Sequence, residues 1–209
     1  MKGVLLALAL YAGPAMAQHS LTYEDARFTY TLSVDSVLSP DSVNYDCTVR
    51  SIVIRRKADH KLIQTIRPGE NDPSCGLSKE EILIIEDVNF DGLNDIRLLQ
   101  FLPAGPNLPY YYWVYDRRTG LFQRNKALEV ITSPDFDPDK KLIYSFYRTS
   151  CCEHGSRTYK YINGVPVLIE DVNVATDEED TVRRNITIVK KRVNGKMKVV
   201  ERTVEKEGN

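Results

Sequence analysis

Ile82-Leu83-Ile84-Ile85-Glu86-Asp87-Val88-Asn89-Phe90-Asp91-Gly92-Leu93-Asn94-Asp95-Ile96 is the stretch that decides how this 209-residue chain is read. An apolar, largely β-branched run leads in, and a second apolar run, Ile96 to Leu102, leads out. Between them stands D-x-N-x-D-G-x-x-D. Side-chain oxygens recur at alternate positions, and Gly92 falls where the chain must turn sharply. In a calcium loop, positions 1, 3, 5 and 9 offer side-chain oxygens and position 7 its backbone carbonyl. Here those are Asp87, Asn89, Asp91 and Asp95, with the carbonyl of Leu93. Position 12, where an EF-hand needs a bidentate glutamate, is Leu98. The flanks read as strands, so the expectation is a strand–loop–strand calcium loop. The same residue types dominate metal-free turns. Carboxylates this close repel one another unless a cation lies between them, and that favours calcium.

Outward from this loop, turn signals recur between β-rich runs. Asn163-Gly164 separates Arg157–Ile162 from Val165–Glu170, and Asn194-Gly195 separates Asn185–Val193 from Lys196–Val204. Asn-Gly between strands is the strongest short hairpin signal. Asp59-His60 and Asp116–Gly120 mark two further turns. No segment of helical length carries a clean 3.6-residue apolar stripe. Ser78 to Glu81 is one helical turn, with Ser78 as cap and Glu81 as its box partner. The predicted fold is all-β, built from hairpins. Asp135–Asp139 reads as an acidic turn, and Asp171–Asp180 as a linker or long loop before a charged C-terminal hairpin, 181–204.

Residues 1–17 read as a signal peptide: Lys2, an apolar run from Val4 to Ala12, then Pro14-Ala15-Met16-Ala17 ending in an A-x-A site. The expected mature chain, 18–209, is a single β domain, exported to the periplasm or beyond. It lacks a cysteine after the cleavage site for a lipid anchor and any later membrane helix. Lysine plus arginine number 28 against 29 acidic residues, a balance that gives no basic patch for nucleic acid. Four cysteines in an exported chain favour disulfides. Cys47 with Cys75 plus a vicinal Cys151–Cys152 bridge is one pairing; a cross-pairing of Cys151 and Cys152 with the N-terminal half is the other type. A thiol nucleophile lacks a well-placed histidine base, and four soft-metal ligands at workable spacing are missing.

Two segments are candidate binding surfaces. Tyr110-Tyr111-Tyr112-Trp113 with Tyr115 puts aromatics on both faces of one strand. These form either core and cross-strand pairs or a sugar-stacking platform. Thr149 to Arg157 reads as a polar, glycine-bearing loop between strands, followed by Tyr159 and Tyr161. A loop stiffened in advance binds at lower entropic cost.

The chain resembles the bacterial calcium-binding lysozyme inhibitors related to the periplasmic inhibitor of invertebrate-type lysozyme, and especially the VirB-associated immunity-type proteins. The resemblance rests on Asp87–Gly92 with Asp95, Gly105, Tyr112–Asp116, Thr119–Phe122, Phe136-Asp137, Lys141–Ser145, Gly155–Tyr159 and Asn163-Gly164, about residues 80–170. It implies a compact, propeller-like β domain holding calcium. It also implies a loop that plugs the cleft of a lysozyme-like peptidoglycan hydrolase, which would be the cell's own toxin or a host enzyme. The loop's Gly, Ser and Tyr would be Gly155, Ser156 and Tyr159. His154 and Arg157 join them on chemical grounds, since a cation pairs with catalytic carboxylates. The chain departs from that family in its Cys151-Cys152 pair and its long terminal hairpins. The reading is a binding protein, not an enzyme, because no carboxylate pair announces itself. A carbohydrate- or cell-wall-binding module is the alternative.

Overall fold

The computed structural model describes residues 17–38, 45–69, 78–179 and 182–206. The expected signal peptide lies outside these, apart from Ala17. Three antiparallel meanders follow one another, each with its strands hydrogen-bonded in chain order. The first holds β1 (Ala17–Glu24), β2 (Phe28–Leu38), β3 (Tyr45–Arg56) and β4 (Leu62–Ile66). A four-residue helix, α1 (Lys79–Ile82), leads into the second. That holds β5 (Leu83–Glu86), β6 (Asp95–Leu99), β7 (Tyr110–Asp116) and β8 (Leu121–Arg124). The third has six strands: β9 (Pro134–Asp137), β10 (Leu142–Arg148), β11 (Glu153–Ile162), β12 (Val165–Glu179), β13 (Val182–Val193) and β14 (Lys196–Lys206).

Local chemistry explains the punctuation. Asn163 and Gly164 have φ of 52° and 78°, and Asn194 and Gly195 have 50° and 77°. Two successive left-handed residues make the hairpin turn whose twist matches the strands it joins. The cap of α1 is as the sequence reads it: the Ser78 amide donates to Glu81 Oε2 at 3.0 Å.

The second sheet is the middle layer, and this accounts for the aromatic run. Along a strand, successive side chains point to opposite faces. Tyr111 and Trp113, with Ile96 and Leu98, pack on the first sheet's Tyr30, Leu32, Ile52 and Ile54. Tyr110 and Tyr112, with Leu99, pack on Ile143 and Tyr159 of the third. Every residue from Tyr110 to Trp113 is buried, because both faces of its sheet are covered. Tyr111 and Trp113 are therefore not a sugar-stacking platform.

The all-β, hairpin-built expectation holds. Of the propeller-like expectation, the structure has consecutive meanders packed face to face, and they differ in strand number. Three local expectations change. Asp171–Glu179 is the second half of β12, a fifteen-residue strand, not a linker. Its acids lie across from bases of β13: Asp171 opposite Lys190, Asp177 opposite Arg184. Opposite charges on facing strands favour pairing where β propensity is poor. Residues 134–137 form β9 before the turn, because Phe136 is drawn against the second core cluster. The cysteines also differ: Cys47 is disulfide-bonded, whereas Cys151 and Cys152 are free thiols. Neither the vicinal bridge nor a cross-pairing through them is formed, and Cys75 lies outside the described residues.

Candidate functional site

The loop between β5 and β6 is wound on its own oxygens. Asp87 accepts the Asp91 amide on Oδ1 at 3.1 Å and the Gly92 amide on Oδ2 at 2.7 Å. Asn89 Oδ1 accepts the Asp91 amide at 3.0 Å, and Asp91 Oδ1 accepts the Leu93 amide at 2.9 Å. Asn89 Nδ2 donates to Asp91 Oδ2 at 3.1 Å. Gly92 takes φ of 84°, as the position requires. Phe90 is also left-handed, at φ 63°. That is an unusual conformation for a bulky residue, and it is held by edge-to-face packing of its ring on Phe136 and Tyr161.

Asp95 is engaged differently. It is fully buried; Oδ2 accepts the Val88 amide at 3.0 Å and Oδ1 the Tyr115 amide at 2.8 Å. It thus staples the loop's start to β7. Burial, helped by the charges of Asp91 and Asp87, pushes its pKa up to about 7 against the two hydrogen bonds. Glu86 is ion-paired with Arg97, and burial raises its pKa despite that guanidinium.

The donors suit a hard cation in kind. Asp87, Asn89 and Asp91 supply only oxygens, and their mutual hydrogen bonds hold them together. Among the described residues, no three His, Cys, Asp or Glu side chains converge as a ligand group. The acidic pair that does come together is Asp87 and Asp91, with Asp95 behind them.

The residues expected to form an inserted loop do not form one. His154, Gly155, Ser156, Arg157 and Tyr159 all lie on β11, paired on one side with β10 and on the other with β12. The connecting segment is only residues 149–152. Gly155 has poor β propensity, but β11 is a central strand, and pairing on both edges overrides it. Tyr159 is 8% exposed and belongs to the core. Ser156 and Phe146 are opposite each other and exposed on the outer face, and the His154 ring lies 6.2 Å from Phe146. On the inner face, Arg157 Nε is 3.3 Å from Asp171 Oδ1, and its guanidinium lies over the Tyr147 ring at 4.2 Å. Tyr147 Oη donates to Asp171 at 3.2 Å and accepts from Asn173 Nδ2 at 3.2 Å. Burial, then the Asp171 carboxylate, raise the Tyr147 pKa, opposed by Asn173.

Two exposed segments instead meet in a two-part tip. The Arg148 amide donates to Asn107 Oδ1 at 2.8 Å, and Asn107 Nδ2 donates to the Arg148 carbonyl at 2.7 Å. One side chain thus clamps the 101–109 loop to the end of β10. Ser133 fixes the loop's far side: its amide donates to the Leu108 carbonyl at 2.8 Å and its hydroxyl accepts the Leu108 amide at 2.9 Å. Ala104-Gly105-Pro106 and Arg148–Cys151 face each other across a shallow cavity of about 560 Å³. Phe101 is 53% exposed and Leu102 is also exposed. No sequence signal singles out Asn107; it is one more loop residue until the fold sets it beside Arg148.

With this geometry, the chain overlays a solved structure described as a Xanthomonas type IV secretion system related protein. The two share a fold. The match has a TM-score of 0.54 at 16% identity and covers 90% of this chain and 98% of the other. No protein-family model and no curated protein matches the sequence. Among the described residues, no helix is long and apolar enough to cross a membrane.

Proposed function

We propose that this chain is an exported, calcium-binding inhibitor of a lysozyme-like peptidoglycan glycosidase. It acts by docking, with no turnover of its own, and the exposed tip is what it inserts. The observation that carries the reading is the Asn107 clamp on Arg148. It joins a Pro/Gly-rich loop bearing exposed Phe101 and Leu102 to the 149–152 turn, making one pre-formed edge. A pre-ordered edge suits insertion into a cleft, because little entropy is left to lose. The resemblance to immunity-type inhibitors and the fold shared with a secretion-related protein support the same reading. His154, Ser156 and Arg157 then serve as the sheet that backs the tip, with Ser156 open to a partner on the outer face.

Calcium in this proposal is held by Asp87, Asn89 and Asp91 with the Leu93 carbonyl, and Asp95, buried behind them, is the last of the expected donors. Bound calcium would neutralise the Asp87–Asp91 pair and brace the loop. The periplasm, or the outside of the cell, supplies both the cation and the oxidising conditions for the Cys47 disulfide.

The test is peptidoglycan clearing. Chain from Gln18 onward is titrated against a panel of lysozyme-type glycosidases, beside Asn107→Ala and Phe101→Asp. Stoichiometric inhibition, weakened in both variants, is the expected result. If no enzyme in the panel is inhibited, the reading fails. Tyr159→Ala is not a usable probe, since Tyr159 is core.

A further inference from the structure

A second concavity, of about 590 Å³, opens at the other sheet junction, where the ends of the first and second meanders meet. It shares no lining residue with the tip. Its floor is aromatic, formed by Phe28 and Tyr115 with ring centroids 5.4 Å apart. Its walls include Leu62 and Leu121, exposed at 49% and 41% although both face the cleft. Its cations are Arg27, Arg56 and Lys61. The Arg27 guanidinium is held in place over two rings, 4.4 Å from Tyr115 and 5.0 Å from Phe28. The guanidinium also donates to the Asn94 carbonyl at 3.4 Å.

The charges around this cleft are unevenly matched. Arg56 is satisfied by both oxygens of Asp59, at 2.9 Å each. Lys57 pairs with Glu24, and Arg118 with Asp116. Asp25 accepts the Arg27 and Phe28 amides on Oδ1 and the Tyr30 hydroxyl and Asn94 Nδ2 on Oδ2, so the nearby acids are engaged. Among the described residues, Arg27 and Lys61 form no ion pair with any carboxylate; the Lys61 amide donates to Asp59 Oδ1 at 3.2 Å, while its ammonium acts on that carboxylate only through space. Two cations outside any ion pair, beside an apolar, half-open cavity of ligand size, form a site for a molecule with an apolar body and an acidic head. An arginine fixed by stacking is preorganised to take a carboxylate through two parallel N–H bonds.

We propose that this cleft binds an amphipathic monocarboxylate, with its chain over Phe28, Leu62 and Leu121 and its head between Arg27 and Lys61. The inference does not rest on the inhibitor reading. The probe is decanoate, titrated calorimetrically into the full mature chain below its micelle concentration. Decyltrimethylammonium and a short peptide pairing leucine with glutamate serve as comparisons. The expected result is one decanoate per chain, with affinity falling on the order of tenfold in Lys61→Glu and weakening in salt as a screened charge contact does. Leu62→Lys should lose binding through the chain instead of the head. Both substitutions are at exposed turn or edge positions, and an unchanged melting curve shows that the fold is kept. The inference is overturned if decanoate does not bind, if decyltrimethylammonium binds as well, or if both variants bind like wild type. Binding of the acidic peptide without decanoate also overturns it and makes the cleft a peptide site.

Discussion

Gly155 occupies a place where a methyl group does not fit. A Cβ there would run into the Val172 carbonyl and would lie 2.6 Å from Tyr147 Oη. The glycine lets Tyr147 lie across β11 and reach Asp171 and Asn173. Gly155→Ala is therefore expected to cost on the order of 3 kcal/mol, because both backbone and ring must shift. Denaturant unfolding measures this, and an unchanged midpoint would refute the crowding. Asp95 is a second residue-scale case. In chelator-treated protein, its folded pKa of about 7 stands above the ordinary aspartate value of 3.8. The folded state then holds the proton more tightly than the unfolded chain. The resulting stability is fully present below about pH 4 and is lost as pH rises through about 7. Asp95→Asn should flatten that slope in melting curves recorded from pH 4 to pH 8. If the slope persists in the variant, another group produces it.

At the scale of elements, the tip and the middle strand make opposite demands. The 101–109 loop is held to β10 mainly by one amide side chain, so Asn107→Ala should cost about 1 kcal/mol, the usual worth of such bonds. Its effect on inhibition should be larger than on stability, since the loop must then be ordered on binding. Comparing the inhibition constant with the melting temperature separates the two. Trp113→Ala, by contrast, removes a side chain from the core between two sheets and should cost about 3–5 kcal/mol without touching any surface. Elements were legible in the sequence where the signal is local. The Asn-Gly turns and the Ser78–Glu81 cap need only neighbouring residues, and both are as read. The Tyr110–Trp113 run showed that both faces of β7 carry aromatics, but not which surfaces cover them. Residues 154–157 and 171–179 were misread for one reason. Their composition is loop-like, and what makes them strands is a partner on each side, with Asp171 meeting Lys190 from β13. The candidate calcium loop was visible because all its donors come from one short segment. The Asn107 clamp was not, because its two halves lie 41 residues apart.

For the whole molecule, the β5–β6 loop stands at the meeting of the two cores, which would give the proposed cation binding a reach beyond the loop. Val88 and Phe90, inside the loop, pack in or against the cluster between the second and third sheets. Tyr161 Oη donates to the Val88 carbonyl at 3.1 Å, and Asn94 Nδ2 donates to Asp25 of the first meander at 3.3 Å. One short segment thus touches all three meanders, so a cation bracing it should stabilise the fold as a unit. A ligand at a hundred times its dissociation constant adds about 2.7 kcal/mol to the folded state. For a chain of this size that is on the order of 8 °C in melting temperature. Calcium should raise the midpoint by that amount and chelator should reverse it. Asp87→Ala should abolish the response, because Asp87 accepts the loop's two turning amides and is one of the proposed cation ligands. The same variant measured in chelator separates these roles: the cation's share vanishes there, and the hydrogen-bonding share remains. A midpoint that ignores calcium and chelator alike would show that the loop's own hydrogen bonds suffice, and the calcium assignment would fall.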